Sequence, residues 1–182
     1  MKIAVLLILI ALGIFMFWRG KQKFLPGSLK NPQIIVKKRE RKLEVLNDGR
    51  LIKTYKIALG FEPTNDKIKR DDGRTPEGEY FVAVKNPASK FHRSLGLNYP
   101  NSKDAARGLR DNLISQSEYE AIIAANLEKR MPPQHTALGG EIYLHGGGML
   151  WDWSWGCVAL DNQEMQELFE IIPLGARVTI EP

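Results

Sequence analysis

The chain has 182 residues, of which 43% are hydrophobic and 26% charged, a length typical of one or two domains. This composition excludes disordered, fibrous and multi-span membrane proteins. Part of the net charge of +5 comes from the basic residues that flank an N-terminal apolar run, Lys2, Arg19, Lys21 and Lys23. The remaining 22 basic and 21 acidic residues nearly cancel, so the globular part has no charge pattern typical of nucleic-acid binding. The single cysteine, Cys157, excludes an intramolecular disulfide.

Residues 3–18 form an uncharged apolar run just short of the roughly 17–25 residues that a membrane-spanning helix needs. No small-residue cleavage pattern follows this run. We therefore predict that residues 1–19 are a signal anchor, retained as one N-terminal transmembrane helix. A cleaved signal peptide and a buried helix of a soluble domain are the alternatives. The basic residues after the run favour a cytoplasmic C-terminal domain under the positive-inside rule.

Residues 20–32 are rich in glycine, proline and lysine and are predicted to form a tether, so the domain proper spans residues 33–182. Short β-prone runs begin this domain, and the sequence NDGR at residues 47–50 between two of them is typical of a hairpin turn. Strands are predicted at residues 34–36, 42–46, 51–59, 78–84, 141–144 and 177–180.

Two helices are marked in the sequence by capping residues. The first helix has two candidate capping boxes, Ser115 with Glu118 and Ser117 with Glu120. The apolar residues that follow share one helical face: Tyr119, Ile122, Ile123 and Leu127. The second helix is predicted to begin at Asp161 and to end before Pro173. The sequence thus predicts one mostly-β domain of the α+β class with two or three peripheral helices.

The stretch from residue 139 to residue 160 combines a histidine, the cysteine and several glycines. A predicted strand ends at His145, and Cys157 follows 12 positions later. A thiol attacks as thiolate, so a catalytic cysteine needs an imidazole to take its proton, and that imidazole needs an acceptor on its other nitrogen. Glycines after His145 can present a carbonyl to the imidazole, and the N–H groups of Gly156 and Cys157 can form an oxyanion hole. The alternative is structural, because a lone cysteine is more often a small buried hydrophobe.

This stretch resembles the active-site motif of the L,D-transpeptidase (YkuD-type) catalytic domain, which reads His-Gly, a variable loop and then Ser/Thr-x-Gly-Cys. The matching sequences are HG at residues 145–146 and SWGC at residues 154–157. Many members have His before the Gly-Cys pair and Arg two residues after the Cys, where this chain has Trp155 and Ala159. These differences resemble a subgroup with Asp-Trp-Ser/Thr-x-Gly-Cys-Ile/Val-Ala, which residues 152–159 match.

Other segments carry the same resemblance. Residues 73–80 (GRTPEGEY) are similar to the family's Thr-Pro-x-Gly turn, which leads into a strand. Residues 91–96 and 98–101 resemble the same subgroup. The resemblance covers residues 34–180 and implies an L,D-transpeptidase-like β-sandwich or open barrel for nearly the whole domain.

The resemblance also implies roles for individual residues. Cys157 would be the nucleophile and His145 the general base, with the Gly146 carbonyl orienting the imidazole. Ser154 would shape the loop that carries the cysteine.

The family transfers acyl groups of peptidoglycan stem peptides. A thiolate attacks the carbonyl of an L-centred diacid residue joined to a D-amino acid, releases the D-amino acid and leaves a thioacyl-enzyme. A second stem peptide, a free D-amino acid, a lipoprotein lysine or water then resolves it. The resemblance implies that the reaction requires no metal and no organic cofactor. It also implies that the domain faces the cell wall, contrary to the flanking charges. The predicted anchor would then be a single pass in the bacterial cytoplasmic membrane, with the domain in the periplasm or cell-wall space.

Residues around the cysteine are candidates for substrate binding. Trp151, Trp153 and Trp155 alternate, which on an extended segment would put three indoles on one face to stack on glycan or line a cleft; packing in the core or loop is the favoured alternative. Ser154 and Trp155 lie next to the Gly-Cys pair. Asp152 either holds the loop through backbone N–H groups, which we favour, or touches a substrate amine.

Three arginines, Arg74, Arg93 and Arg110, are candidates for binding a stem-peptide carboxylate, because guanidinium matches carboxylate geometry. A zinc site is a weaker hypothesis, because its candidate ligands lack zinc-ligand spacing. Those ligands would be His92, His135, His145 and Cys157.

Three alternatives compete with a cysteine acyltransferase. An L,D-carboxypeptidase or amidase would hydrolyse the same bonds through the same thioacyl chemistry, since the acceptor depends on cleft shape and water access. A non-catalytic peptidoglycan-binding module would not need the intact His-Gly and Ser-x-Gly-Cys sequences. The flanking charges leave a cytoplasmic thiol enzyme or redox sensor as an outlier.

Overall fold

The structure, a computed structural model, describes residues 29–182. The eight strands of this part are β1 (Pro32–Lys37), β2 (Lys42–Asn47), β3 (Arg50–Lys56), β4 (Gly78–Ser89), β5 (His92–Leu97), β6 (Tyr143–His145), β7 (Val158–Ala159) and β8 (Arg177–Glu181). The three helices are α1 (Ser102–Arg110), α2 (Gln116–Leu127) and α3 (Asn162–Ile171). The predicted anchor and most of the predicted tether lie outside the described residues. Between residues 29 and 182, no helix has the length and apolarity to cross a membrane.

The first three strands form the predicted meander. Ile34 and Val36 of β1 face the core, while Ile35 between them is half-buried, which is the period-2 alternation of a strand with one covered face. Asp48 and Gly49 both have positive φ, 49° and 75°, and pair Asn47 with Arg50 across a two-residue turn. This is the backbone that Asp-Gly favours in hairpins.

The strands form one sheet in the order β3-β2-β1-β8-β4-β5-β6-β7. β4 joins its two halves, because its first residues pair with β8 and its later residues pair with β5. The two outer ends of the sheet come together where Ala58, just after β3, forms an antiparallel bridge with Ala159 of β7. The architecture is therefore a half-barrel, which corresponds to the open barrel among the two predicted forms.

Apolar residues from every strand meet inside the half-barrel. The main core contains Leu43 and Tyr55 from the meander, Leu144 and Val158 from β6 and β7, and Leu168 from α3. A second, smaller cluster lies under α1 and α2, where the packed residues are Ala105, Ile114, Ile122 and Leu138. The core holds the short strands β6 and β7 in register, although they span three and two residues.

The helices begin where capping residues satisfy their first N–H groups. Of the two predicted capping boxes of α2, the one formed by Ser115 and Glu118 is present, and Asp161 caps α3 by accepting from the Gln163 N–H. α1, β5 and β7 were not predicted as elements. α1 has its own capping box, formed by Asn101 and Asp104.

Candidate active site

His145 and Cys157 are brought to one face of the sheet by the register of β6 and β7. These strands are parallel, with Leu144 opposite Val158 and His145 opposite Ala159. Leu144 and Val158 point into the core. His145 directly follows Leu144, and Cys157 directly precedes Val158. Because side chains alternate along a strand, His145 and Cys157 point to the face opposite the core. Both side chains line the same cleft, whose volume is about 520 Å³.

The imidazole of His145 is buried and oriented. Its Nδ1 lies 2.5 Å from the carbonyl oxygen of Gly146, and Phe91 stacks on the ring with centroids 4.8 Å apart. Trp153 packs edge-on against it at 5.4 Å. Burial lowers the pKa of His145, opposed by the hydrogen bond with the Gly146 carbonyl and assisted by the Lys90 ammonium. The neutral imidazole therefore predominates at neutral pH.

The thiol of Cys157 is held by backbone groups of the strand beside it. Its Sγ donates to the carbonyl of Glu141 at 3.2 Å and accepts from the N–H of Tyr143 at 3.4 Å. Burial raises the pKa of the Cys157 thiol to about 11; the Glu141 carboxylate adds to this rise and the Tyr143 N–H opposes it. The resting site therefore contains a neutral thiol and a neutral imidazole.

Asp152 anchors the loop before the cysteine. Its carboxylate accepts from the Leu59 N–H at 2.8 Å and from Arg41, whose Nη2 lies 2.7 Å away. Both carboxylate oxygens are engaged, which agrees with the favoured loop-holding role rather than with substrate contact. Sequence reasoning missed Arg41, because it lies 111 residues from Asp152.

Ser154 is buried and organises the turn into Cys157. Its hydroxyl donates to the Cys157 carbonyl at 2.7 Å and accepts from the Gly156 N–H at 3.1 Å. Its backbone bonds to Leu59 and Phe61 on the neighbouring segment. Ser154 thus fixes the position of Cys157 from inside the loop.

Gly156 has a backbone conformation and close surroundings that favour glycine. Its φ is +122°, and a Cβ there would lie 2.6 Å from the Arg74 carbonyl oxygen. Gly60 is as tightly enclosed, with a Cβ position 2.1 Å from the Gly73 carbonyl oxygen and 3.0 Å from the Gly156 Cα. The loop that carries Cys157 can approach the segments at Gly60 and Arg74 this closely only because Gly156 and Gly60 lack side chains.

The three tryptophans do not share one environment. Trp151 is 67% exposed and lies outside the cleft, so the predicted common face and the favoured packed alternative are both wrong for it. Trp155 is 65% exposed, touches Phe61 edge-on and lines the cleft. Trp153 is half-buried, lines the cleft and donates its indole N–H to the Gly148 carbonyl. The chain enters the cleft between Trp151 and Trp153, so the first indole lies apart from the other two.

The three candidate arginines do not line the cleft. Arg93 packs over Phe169 and donates to Gln166 on α3. Arg110 is exposed beside Asp111, and Arg74 reaches the Asp66 carbonyl. Within residues 29–182, no group of three or more His, Cys, Asp and Glu side chains could hold a metal ion.

Two charged residues line the cleft that sequence reasoning did not select, Lys90 and Glu141. Lys90 lies over the Phe91 ring at the tip of the β4–β5 hairpin. His92 follows them with φ +74° and is exposed. The sequence carried no signal for Lys90, because its place beside the motif depends on the pairing of Ser94 with His145 in the folded sheet.

The family of this chain follows from a match to a family model that covers almost all of the residues that the structure describes. The family model for the L,D-transpeptidase catalytic domain (YkuD) matches residues 31–180. The chain belongs to this family. Residues 31–180 are thus an L,D-transpeptidase-type catalytic domain, from a family of enzymes that act on peptidoglycan stem peptides.

Two curated relatives support this membership. YqjB of Bacillus subtilis (strain 168), provisionally named an L,D-transpeptidase, is 30% identical over 165 residues, which are 90% of this chain and 77% of YqjB. YafK of Escherichia coli (strain K12), with the same provisional name, is 26% identical over 134 residues, 72% of this chain and 41% of YafK.

Solved structures have the same fold. Bd1075 of Bdellovibrio bacteriovorus is 26% identical with a TM-score of 0.54, over 86% of this chain and 53% of that chain. The helical cell shape determining protein Pgp2 of Campylobacter jejuni is 21% identical with a TM-score of 0.54, over 83% of this chain and 47% of that chain. The chain therefore spans about half the length of both solved proteins.

Proposed function

We propose that this protein is a membrane-anchored, wall-facing cysteine acyltransferase that acts on peptidoglycan stem peptides through a thioacyl-enzyme on Cys157. The observation that carries the proposal is the placement of His145 and Cys157 on one face of two paired strands, inside a single cleft. Family membership supplies the substrate class.

The first half-reaction follows from the orientation of His145. A carbonyl oxygen only accepts, so the bond to Gly146 requires the proton on Nδ1 and leaves the Nε2 lone pair as the base. Nε2 takes the Cys157 proton as sulfur attacks the donor carbonyl carbon. The carbon–nitrogen bond then breaks, and the departing D-amino acid takes the proton from His145, which leaves a thioester.

The negative charge on the attacked oxygen needs backbone donors. The Gly156 N–H donates to Ser154 Oγ in the resting site, so we assign the main oxyanion donor to the neighbouring Cys157 N–H. Ser154 then has a positioning role, because its bond to the Cys157 carbonyl fixes the plane of that segment.

The proposed location depends on the apolar run at residues 3–18 and on where the substrate lies. Peptidoglycan is outside the cytoplasm, so the domain must face the periplasm or cell-wall space. A single N-terminal anchor would keep the cleft within the length of the tether from the membrane surface.

The test uses the full-length chain in detergent with purified muropeptides, with and without an added D-amino acid, and mass spectrometry of the products. We expect joined stem peptides or exchanged terminal residues. Cys157→Ala should abolish these products, and His145→Gln should slow them by about 10²–10⁴-fold. Glu120→Gln, an exposed change on α2, is the matched control.

Each other outcome has a defined meaning. Shortened stems alone, dependent on Cys157, would make the enzyme an L,D-carboxypeptidase. Full activity in Cys157→Ala would reject the nucleophile. No Cys157-dependent product, and no adduct with a carbapenem, would favour a binding module.

A further inference from the structure

Glu141 lies at the boundary between two cavities that meet at the thiol. The first is the cleft that contains His145. The second, of about 230 Å³, lies on the other side and shares Glu141, Trp155 and Cys157 with the first. Arg70 is among the residues that line only the second cavity. An acyl group on Cys157 is therefore accessible from two directions.

The backbone of Glu141 is held in a costly conformation. Its φ is +56°, a region that residues other than glycine adopt rarely. Its N–H donates to Gln134 Oε1 at 2.6 Å, and the Gln134 amide is itself bonded to the Tyr99 and Pro132 carbonyls. These hydrogen bonds hold the backbone of Glu141 and so fix the direction in which its side chain starts.

The carboxylate of Glu141 has no structural use among the described residues. Glu141 is exposed, and it takes part in none of the ion pairs between residues 29 and 182. Its charge helps to raise the pKa of the Cys157 thiol, which disfavours the thiolate. An anion that hinders the first half-reaction fits a role in the second half-reaction.

We propose that Glu141 binds the amine of the acyl acceptor in the smaller cavity and directs it at the thioester on Cys157. The acceptor class is an amino acid or peptide whose amine lies next to a carboxylate, since Arg70 provides a cation in the same cavity. The inference rests on the proposed function, and it favours amine transfer over hydrolysis for this site.

The chemistry balances without another reactant. The bound acceptor loses one proton to solvent, and the resulting amine keeps an N–H bond to the Glu141 carboxylate. Its nitrogen attacks the thioester carbon, the new carbon–nitrogen bond forms and the carbon–sulfur bond breaks. The proton released from nitrogen passes to His145 Nε2 and then to the Cys157 sulfur, which restores the resting site.

The experiment measures how the thioacyl-enzyme divides between two fates. Full-length protein is mixed with a tetrapeptide stem donor and D-methionine, and quenched samples are analysed by mass spectrometry for exchanged and hydrolysed product. We expect Glu141→Gln to lower the ratio of exchange to hydrolysis at least tenfold, and this ratio does not depend on how fast the thioacyl-enzyme is formed. Glu141→Asp, which keeps the charge, should recover part of the ratio.

Controls separate this proposal from its alternatives. Asp71→Asn removes the other carboxylate that lines the smaller cavity, and Glu120→Gln removes a remote one. An unchanged ratio in Glu141→Gln, or a larger loss in Asp71→Asn, would overturn the assignment to Glu141 alone. If the unmodified protein releases no D-amino acid and forms no acyl adduct, the proposed function itself fails. Donor release also reports whether each variant is folded.

Discussion

The loop between His145 and Cys157 has two parts with opposite character. We call residues 149–151 the tip and residues 152–157 the anchored part. At the tip, Leu150 and Trp151 are 88% and 67% exposed, and no hydrogen bond between described residues involves the tip. In the anchored part, Asp152 and Ser154 bond to Arg41 and to the segment at Leu59–Phe61.

This difference shows where the protein fixes its backbone. The proposed reaction requires Cys157 to lie within reach of His145, and the anchored part that leads into Cys157 is held by hydrogen bonds. The tip contributes nothing to that geometry and needs only to connect two strands. Substitutions in the two parts should therefore have very different effects.

The largest effect is expected at Gly156 in the anchored part, and Gly148, which stands just before the tip, provides the comparison. Gly156→Ala combines φ +122° with a contact of 2.6 Å to the Arg74 carbonyl oxygen, so it should lower the unfolding free energy by roughly 3 kcal/mol or more and remove most activity. Gly148→Ala, just before the tip, has φ +94° but no atom within 4 Å of its Cβ position, so it should cost about 1 kcal/mol. Urea denaturation measures both, and equal losses would contradict the comparison.

The pH dependence tests the burial of the anchored cysteine. Because the thiol pKa is raised to about 11, alkylation by iodoacetamide should accelerate about tenfold per pH unit from pH 7 to pH 10. Acylation by a stem-peptide donor needs neutral His145, whose pKa is lowered below 6.5. Its rate should rise as the pH passes that lowered pKa and level off above it.

Intact-protein mass spectrometry follows both reactions, and Cys157→Ala is the control because the chain has no other cysteine. An alkylation plateau near pH 8.5 would mean that the thiol is not shielded in solution.

A double-mutant cycle measures the anchor itself. Arg41→Gln and Asp152→Asn each remove one partner of the ion pair, whose side chains are 37% and 22% exposed. Solvent screening reduces the value of such a pair, so we expect a coupling of about 1 kcal/mol in the unfolding free energy. Donor turnover should fall with each change. A coupling near zero would show that the Leu59 N–H alone holds Asp152.

The smallest effect is expected at the tip. Leu150→Ser and Trp151→Ser should change the unfolding free energy by less than about 0.5 kcal/mol, because both side chains are already in water. Trp153→Ser, two positions further, should reduce turnover clearly, since that indole packs against His145. Thermal unfolding and donor turnover measure these variants. A loss of turnover at Trp151 as large as that at Trp153 would show that the tip takes part in catalysis.

Elements with strong local signals were predicted well. The meander, its Asp-Gly turn and the Ser115–Glu118 capping box of α2 depend on residues close in sequence, and the structure confirms them. β5 was not predicted, because His92–Leu97 lacks a clean alternation. α1 was not predicted, because only Ala105 and Leu109 give it an apolar side; the Asn101–Asp104 capping box was the usable signal.

The sequence predicted the two central residues of the site from a motif, but not the other residues that line the cleft. The sequences HG and SWGC identified His145 and Cys157, and both residues line one cleft in the structure. The arginines considered for carboxylate binding do not line the cleft, since residue type alone does not say where a side chain points. Glu141 and Lys90 lie in the cleft through strand pairing, which no local pattern in their own segments reveals.

The sequence by itself determined the family, the mostly-β class and the thiol–imidazole pair, because these depend on short motifs and on the periodicity of neighbouring residues. Only the tertiary structure decided which groups surround that pair. Arg41 meets Asp152, and Ala58 meets Ala159, because the half-barrel brings its two outer ends together. Contacts of this kind depend on the register of several strands at once, which is fixed by packing of the shared core and not by any single segment.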